Sequence, residues 1–335
     1  MTRTRKTVIL IGLFLILMLG LSFFMSKAYV SKTAVEFNAP ANFVFNAIND
    51  LGYQNNWNGK MGLDTSFHVL CVGNSKGVNA SCDYKSDTYG AGVLRIVYSK
   101  EDSITITDKP DSGTLRTISY KIESIDSTHS LVKVIGSGQS GFITNLWNVI
   151  HRWKLSKHVK HGLDNLKVFL HDRFQNKVYN GYKVTETAMN ERYFIAHRSE
   201  IAFENIPQYY TQNISALYQT ALQNQLAIAG MPCGLFYKWD EVNGKSDMAA
   251  ALPTLAETNI ANTETVVISS KSALKVEYKG ESHNSGQAHI AMDAYMLDHR
   301  LKQEIPIVEE YMTDPAEEPD PSKWVTNIYY YVSPK

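Results

Sequence analysis

The segment at 309–311, with the sequence Glu-Glu-Tyr, places carboxylates beside an aromatic ring, a combination suited to holding cations. Further rings at Tyr237, Trp239 and Tyr329 lie in segments whose apolar pattern predicts strands. A carboxylate among Tyr and Trp rings attracts a ligand cation, and each ring adds a cation–π contribution of about 0.5–2 kcal/mol. Burial raises the pKa of such a carboxyl group unless a partner or a ligand neutralises its charge.

Strand alternation separates the two glutamates of this segment. Successive residues of a strand project to opposite faces of the sheet, so only one of Glu309 and Glu310 can line a given cleft. For Glu309 the alternative is a charge at the rim of a cleft or on an edge strand. For the aromatic residues the alternative is plain core packing.

The elements that must position these residues fall in the second half of the chain. Strand-like and helical patterns there occur twice in the same order, strand–helix–strand–strand, which suggests an internal repeat. Two such units packed side by side would form a groove along their pseudo-two-fold axis. The predicted elements are strands at 184–198, 233–239 and 246–252 with a helix at 206–229, then strands at 273–279, 306–312 and 324–332 with a helix at 286–303.

Three motifs of this half resemble the gyrase-inhibitor-like domain, which is also the effector-binding part of AraC- and MerR-type regulators. They are the segments GMPCGLFYKWD at 230–240, EEYMTDP at 309–315 and WVTNIYY at 324–330, together with YKG at 278–280. The family usually has Gly-Pro-Tyr after this last glycine, where this chain has Glu-Ser-His at 281–283. In the family, an acidic residue at the Glu309 position lies in an aromatic-lined cleft and holds cationic or polar ligands. The resemblance therefore implies a ligand site formed by Glu309, Tyr311, Tyr237, Trp239 and Tyr329.

The first half predicts a strand at 31–38, a short helix opening at Pro40, a run of consecutive short strands and a long helix at 143–174. Consecutive strands separated by turn residues favour an antiparallel meander. Cys71 and Cys82 flank a predicted hairpin, where they would face each other. A disulfide and two buried free thiols are both compatible with that position.

This order of elements resembles the SRPBCC superfamily, whose START-like and polyketide-cyclase-like members have a helix-grip fold. The resemblance rests on NAPA at 38–41, Trp57, GAG at 90–92 and GLDNLK at 162–167. It implies a curved sheet that grips the long helix, with an apolar cavity between them. The whole chain is thus expected to be α+β, with a helix-grip domain at 32–177 and a gyrase-inhibitor-like domain at 178–335.

Two further patterns in the first half carry little chemistry. The segment GSGQSG at 136–141 fits GxGxxG, but the strands before it are predicted antiparallel and the helix after it is longer than a crossover helix. We therefore predict a flexible loop at the cavity mouth. His158 and His161 could share one helix face, but no further metal ligand is evident, so both are expected to face solvent.

The N-terminal segment 7–25 contains 19 residues and no charge. As a helix it would span roughly 28 Å, about the hydrocarbon thickness of a bilayer. Arg3, Arg5 and Lys6 precede it, which favours a cytoplasmic N-terminus, with residues 1–31 as stub and anchor and the rest on the periplasmic side of a bacterial inner membrane. A cleaved signal peptide, with a cleavage site at 26–28, is the alternative.

Composition argues against nucleic acid as a partner and leaves three classes of function open: ligand binding, catalysis and protein–protein interaction. Lys plus Arg and Asp plus Glu both number 33, so no basic footprint for nucleic acid is present. Triad, HExxH, Walker and zinc-deaminase patterns are also absent, and no metal or cofactor is predicted. The favoured interpretation is a membrane-anchored protein that binds a small hydrophobic or cationic ligand without catalysis. The alternatives are a hydrolase or cyclase with Glu309 as general base, for which no second titratable group is evident, and a protein that binds only other proteins.

Overall fold

A computed structural model describes residues 3–141, 144–314 and 316–335, without the side chains of 3–6, 8, 9, 14, 15, 19 and 21. Two compact units make up the chain, Met1–Gln175 and Asn176–Lys335. The division lies close to the predicted boundary at 177/178, and the family of each unit stays a prediction. Two residues used in the sequence analysis, Ile143 at the predicted helix start and Pro315 in the second motif, lie outside the described residues.

The N-terminal apolar segment is helical, as α1 (Arg3–Phe24). Asn145 donates from its side-chain amide to the carbonyl of Ser22 at 2.6 Å and accepts from the Ser22 hydroxyl at 2.8 Å. Among the residues that the structure describes, no helix has the length and apolar content needed to cross a membrane. The anchor predicted at 7–25 therefore gains no support here and stays a prediction.

Unit 1 otherwise consists of one antiparallel sheet and three helices. Its elements after α1 are β1 (Ala28–Phe37), α2 (Ala41–Ile48), α3 (Gln54–Trp57), β2 (His68–Cys71), β3 (Ser81–Lys85), β4 (Gly92–Lys100), β5 (Ser103–Pro110), β6 (Arg116–Ser124), β7 (Ser130–Gln139) and α4 (Asn148–Phe174).

The sheet has the order β1-β7-β6-β5-β4-β3-β2, and every neighbouring pair is antiparallel. Residues 2 apart along each strand share a face, so the alternating apolar residues of the sequence form one continuous surface. The apolar side of α4 packs on that surface through Leu155, Leu163, Leu166 and Leu170, all buried. Each such leucine contributes about 1.5–3 kcal/mol relative to an exposed position. The predicted meander and its covering helix are confirmed.

The GxGxxG segment is not the flexible loop that the sequence predicted. Residues 136–139 belong to β7 and pair with β1, Gly136 opposite Ser31 and Gly138 opposite Tyr29. A Cβ on Gly138 would overlap the Tyr29 ring, and one on Gly136 would lie 3.0 Å from a methyl group of Leu155. The absence of side chains at Gly136 and Gly138 lets Leu155 and Tyr29 pack directly against the strand. This packing accounts for the two glycines, so no nucleotide-binding role is needed to explain them.

The cysteine pairing left open by the sequence is settled by the register of two short strands. Cys71 on β2 lies opposite Cys82 on β3, and the two form a disulfide. The connecting segment is longer than the predicted two-residue turn, because the strands end at Cys71 and resume at Ser81. Cys233 is free and buried, and burial raises the pKa of its thiol to about 12.

The described part of unit 2 contains an eight-stranded antiparallel sheet, a two-stranded sheet formed by the first two strands of the unit, and two α-helices. Its elements are β8 (Val178–Tyr179), β9 (Tyr182–Lys183), β10 (Thr185–Met189), β11 (Arg192–Ala202), α5 (Ile206–Gln223), β12 (Cys233–Asp240), β13 (Lys245–Thr254), β14 (Glu264–Ile268), β15 (Lys271–Lys279), α6 (Gly286–His299), β16 (Leu301–Tyr311) and β17 (Val325–Pro334).

The sheet order β10-β15-β17-β16-β12-β13-β11-β14 places the two strand–helix–strand–strand halves side by side. Strands β12 and β16 pair at the junction, and the extra strands β10 and β14 occupy the two edges. The sequence predicted one strand at 184–198, whereas the chain forms β10 and β11 with a break between them. The helices predicted at 206–229 and 286–303 are both shorter in the structure. Helix α5 ends at Gln223, and α6 ends at His299, after which Arg300 adopts the left-handed backbone conformation.

Both helices of unit 2 cover the same face of the sheet. Ala250 on β13 packs in the cluster beneath α5, and Ile328 on β17 packs in the cluster beneath α6. One row of paired residues joins them, running from Ala250 through Gly234 and Glu309 to Ile328. Directly paired residues project to the same face. Glu309 therefore lies on the helix-covered face, between the two helices.

Candidate functional site

Glu309 is a nearly buried carboxylate at the centre of the unit 2 sheet. Its side chain is 8% exposed. Its Oε1 lies 3.0 Å from Nε2 of His289, and its Oε2 accepts a hydrogen bond of 3.0 Å from the Tyr311 hydroxyl. Tyr311 is two residues further along β16 and shares the face of Glu309. A Cβ on the neighbouring Gly234 would lie 3.0 Å from the Tyr311 hydroxyl, so the glycine leaves room for this ring.

His289 reaches Glu309 from α6. Its Nδ1 lies 3.0 Å from the hydroxyl of Tyr330, so both ring nitrogens have partners. In the neutral imidazole, Nε2–H donates to Glu309 while Nδ1 accepts from Tyr330. The sequence analysis found no second titratable group beside Glu309, and that conclusion was wrong. The available signal was weak: His289 directly follows Ala288 on the buried side of α6.

Tyr210 approaches the same place from α5. Its ring meets that of Tyr311 edge to face, with 4.7 Å between centroids. The Tyr210 hydroxyl is buried and has no hydrogen-bond partner among the described residues. Burial raises the pKa of this hydroxyl, and the charge of Glu309 adds to the effect. We call Glu309, His289, Tyr311, Tyr330 and Tyr210 the Glu309 cluster.

Glu310 lies on the opposite face, as strand alternation predicted. Its Oε1 is 2.9 Å from a guanidinium nitrogen of Arg192, and its Oε2 accepts from the Tyr329 hydroxyl at 3.3 Å. Tyr329, a predicted ligand residue, therefore belongs with Glu310 and not with Glu309. Burial and the nearby Glu310 raise the pKa of Tyr329 to about 12.

Tyr237 and Trp239 also lie apart from the Glu309 cluster. They follow Gly234 on β12 by three and five residues, or roughly 10 and 16 Å along a strand. Tyr237 lies beneath the guanidinium of Arg198, 3.6 Å from the ring centroid, and its pKa is raised by burial to about 12. Trp239 is 53% exposed and stacks on a phenylalanine ring. Of the predicted site residues, the structure brings together Glu309 and Tyr311.

The two glutamates differ in how their charge is compensated. Arg192 supplies a permanent cation to Glu310, whereas no Lys or Arg among the described residues forms a salt bridge with Glu309. Within the described residues, the side chain in contact with Glu309 that can carry a positive charge is His289, and its charge depends on its protonation. The Glu309 cluster can thus accept a cation or a proton. No group of three or more potential metal ligands occurs in the described part of the chain.

His158 is not the solvent-facing residue that the sequence predicted. It is half-buried on α4, with its ring 5.2 Å from that of Tyr89. Burial lowers the pKa of His158 to about 4, and the positive charges of Lys60 and Arg116 act in the same direction. At neutral pH this imidazole is therefore uncharged, and it lines a cavity of unit 1 that is described below.

Comparison with known proteins gives partial likenesses only. No family model matches the chain, and no curated protein matches it. Among solved structures, a chain of the EcmrR–DNA complex is 16% identical, covers 58% of this chain and 73% of its own length, and has a TM-score of 0.44. The EcmrR C-terminal domain is 17% identical over 46% of this chain and 99% of its own, with a TM-score of 0.42. A START superfamily protein from Mycobacterium smegmatis is 13% identical over 43% and 98%, with a TM-score of 0.34. Likenesses of this size assign no function to this chain.

Proposed function

We propose that unit 2 binds a small hydrophobic cation at Glu309 and leaves it chemically unchanged. One observation carries the proposal: a nearly buried carboxylate lies between two helices with no permanent cation beside it. Burial of an ionised carboxylate is costly unless a partner compensates its charge. A ligand cation would provide that compensation, and the rings of Tyr311 and Tyr210 would each add about 0.5–2 kcal/mol of cation–π attraction.

Both ring nitrogens of His289 have side-chain partners, which argues against this residue as a general base. A histidine that acts as general base needs one ring nitrogen directed at the substrate or at a water molecule. Here Nε2 contacts Glu309 and Nδ1 contacts Tyr330. His289 instead orients the carboxylate of Glu309.

Calorimetric titration of the full chain with tetraphenylphosphonium tests the proposal. We expect wild type to bind, and Glu309→Gln to weaken binding by about 2–4 kcal/mol, roughly 30- to 1,000-fold in Kd, because the charge partner is lost. Glu277→Gln on β15 is the matched control, since Glu277 is exposed and pairs only with Lys279. Uncharged triphenylphosphine oxide should bind both proteins poorly. Equal affinity of wild type and Glu309→Gln for the cation would refute the site.

A hydrolase is the second candidate, and the 3.0 Å contact between Glu309 and His289 favours it. Glu309 would take a proton from water as the water oxygen attacks the ester or epoxide carbon, the C–O bond at that carbon would break, and the proton would pass from the Glu309 carboxyl group to the departing oxygen. His289 would hold the carboxyl group in position. Incubation with a panel of reactive esters and epoxides distinguishes the candidates. Turnover by wild type that disappears in Glu309→Gln would favour the hydrolase, whereas saturable binding without turnover would favour the first proposal.

The location of the protein is a further part of the proposal, with a cytoplasmic N-terminus, residues 7–25 as an inner-membrane anchor and the chain after the anchor in the periplasm. Its support is the uncharged run of 19 residues and the Cys71–Cys82 disulfide, since disulfides persist in oxidising compartments. Alkaline carbonate extraction of membranes and protease treatment of spheroplasts test it. We expect the chain to resist extraction and to be digested from outside; release by carbonate or full protection from protease would contradict it.

A further inference from the structure

A small cavity in unit 1 lies between the sheet and α4. Its volume is about 50 Å³. Most of its wall is apolar, with Trp57, Leu94, Ile106, Tyr120, Leu155 and Leu163 among the lining residues. Acidic and basic side chains also line it, namely Lys60, Asp108, Arg116 and His158. An apolar cavity with a few convergent polar groups is the usual form of a small-molecule site.

The ionisable groups are joined through Asp108. Its Oδ2 lies 3.2 Å from Nζ of Lys60 and 3.2 Å from a guanidinium nitrogen of Arg116, and its Oδ1 accepts from the Tyr84 hydroxyl at 2.9 Å. One carboxylate therefore serves two cations. Because His158 is neutral at pH 7, the charged groups lining the cavity sum to one excess positive charge.

Lys60 is held deep in the protein. Only 4% of its surface is exposed, and its ammonium group lies 4.0 Å from the centroid of the Tyr84 ring. Burial lowers the pKa of Lys60, while the charge of Asp108 opposes that shift. A second anion beside this cation would compensate the excess charge that Asp108 alone leaves.

Arg116 has one buried hydrogen-bond donor, its Nε–H group, that is unpaired within the described residues. One of its terminal nitrogens pairs with Asp108. Buried donors in folded proteins are almost always paired with protein, water or ligand. The guanidinium group is planar and matches the planar fork of a carboxylate better than a compact ammonium group does.

We propose that this cavity binds a small aliphatic monocarboxylate, with its carboxylate compensating Lys60 and Arg116 and its short alkyl group against the leucine and isoleucine wall. The volume is about a third of the roughly 150 Å³ apolar cavity that accommodates benzene, which limits the ligand to the size of acetate or propionate and excludes a lipid chain. The excess charge selects an anion over a neutral amide of the same shape.

Titration of the full chain with sodium propionate at pH 7.5 tests this, with ionic strength held constant by chloride. Binding is measured by calorimetry and by the shift in Tm. We expect saturable binding with a Kd on the order of 1 mM, as suits a ligand of so few atoms, and none with propionamide. Arg116→Gln should weaken propionate binding at least tenfold, Arg116→Lys should restore part of it, and Glu309→Gln should leave it unchanged.

A cavity-filling variant keeps the test decisive if a charge variant unfolds. Val159→Leu adds one methylene to the lining and retains every charge. It should weaken the binding of propionate more than the binding of the smaller acetate. Circular dichroism confirms that each variant is folded. The proposal is overturned if wild type shows no saturable carboxylate binding, if propionamide binds as well as propionate, or if folded Arg116→Gln binds like wild type.

Discussion

Replacement of Asp108 by Asn would remove the only negative charge from the unit 1 cavity while keeping the shape of the side chain. Lys60, whose side chain is 5% exposed, and Arg116, whose side chain is 22% exposed, would then both lose the carboxylate that they share. Breaking one partner of a buried ion pair costs about 3–5 kcal/mol of the free energy of unfolding. For a unit of this size, that corresponds to a fall in Tm of roughly 6–20 °C.

The pH dependence of Asp108→Asn provides a second, sharper expectation. In wild type, burial lowers the pKa of Lys60 and the charge of Asp108 partly offsets that effect. Without Asp108, the pKa of Lys60 would therefore fall further. Between the folded and unfolded pKa values of this lysine, the unfolded state binds more protons, so the free energy of unfolding rises with pH. The deficit of the variant relative to wild type should therefore shrink between pH 7 and pH 10.

Hydrogen exchange measured by mass spectrometry suits this prediction, because peptides from β5 and β6 report on unit 1 separately from unit 2. Asp102→Asn is the matched control: Asp102 lies just before β5 and forms an ion pair with Lys121 at 2.6 Å that is exposed to solvent. That substitution should leave exchange in both strands unchanged. A deficit for Asp108→Asn no larger than that of the control, or one that does not change with pH, would refute the reasoning.

Three further predictions address other parts of the chain. Gly234→Ala should weaken tetraphenylphosphonium binding and lower the free energy of unfolding by about 1–3 kcal/mol, because its Cβ would displace the tyrosine hydroxyl bound to the site carboxylate. Gly230→Ala, whose Cβ meets only ordinary contacts at 3.6 Å, should be neutral in both calorimetry and urea unfolding. Replacing Cys71 and Cys82 by Ser should cost about 2–4 kcal/mol in urea unfolding, and an unchanged midpoint would contradict a structural role for the disulfide. His158 has a folded pKa of about 4, so unit 1 should lose stability as the pH falls from 6.5 towards 4, and His158→Gln should flatten that part of the profile measured by thermal unfolding.

Local patterns predicted the elements of both units because they depend on neighbours in sequence. Period-two alternation indicated the meander of unit 1, and the repeated order of elements indicated the two halves of unit 2. Alternation also predicted that Glu309 and Glu310 face opposite ways. The segment 136–141 was wrongly predicted as a loop because the residues that require its glycines are distant in sequence. Gly138 leaves space for the Tyr29 ring, and Tyr29 lies more than a hundred residues earlier in the chain.

The partners of Glu309 could not be predicted in this way. His289 contacts Glu309 from α6, Tyr210 contacts Tyr311 from α5, and both approaches depend on how each helix packs on the sheet. Tyr329 belongs with Glu310 because β17 pairs with β16 in one particular register, with Tyr329 opposite Val308. A register shift of one residue would have exchanged the faces, and nothing in either strand alone excludes it.

The sequence by itself indicated the order of most strands and helices and the separation of the two adjacent glutamates onto opposite faces of the sheet. Only the tertiary structure decided that Glu309 lies without a permanent cation while Glu310 has Arg192, and that Lys60, Asp108 and Arg116 meet in one cavity. The physical reason is that periodicity is a property of neighbouring residues, whereas charge compensation depends on strand register and helix packing. Both of these are set by the burial of the whole core.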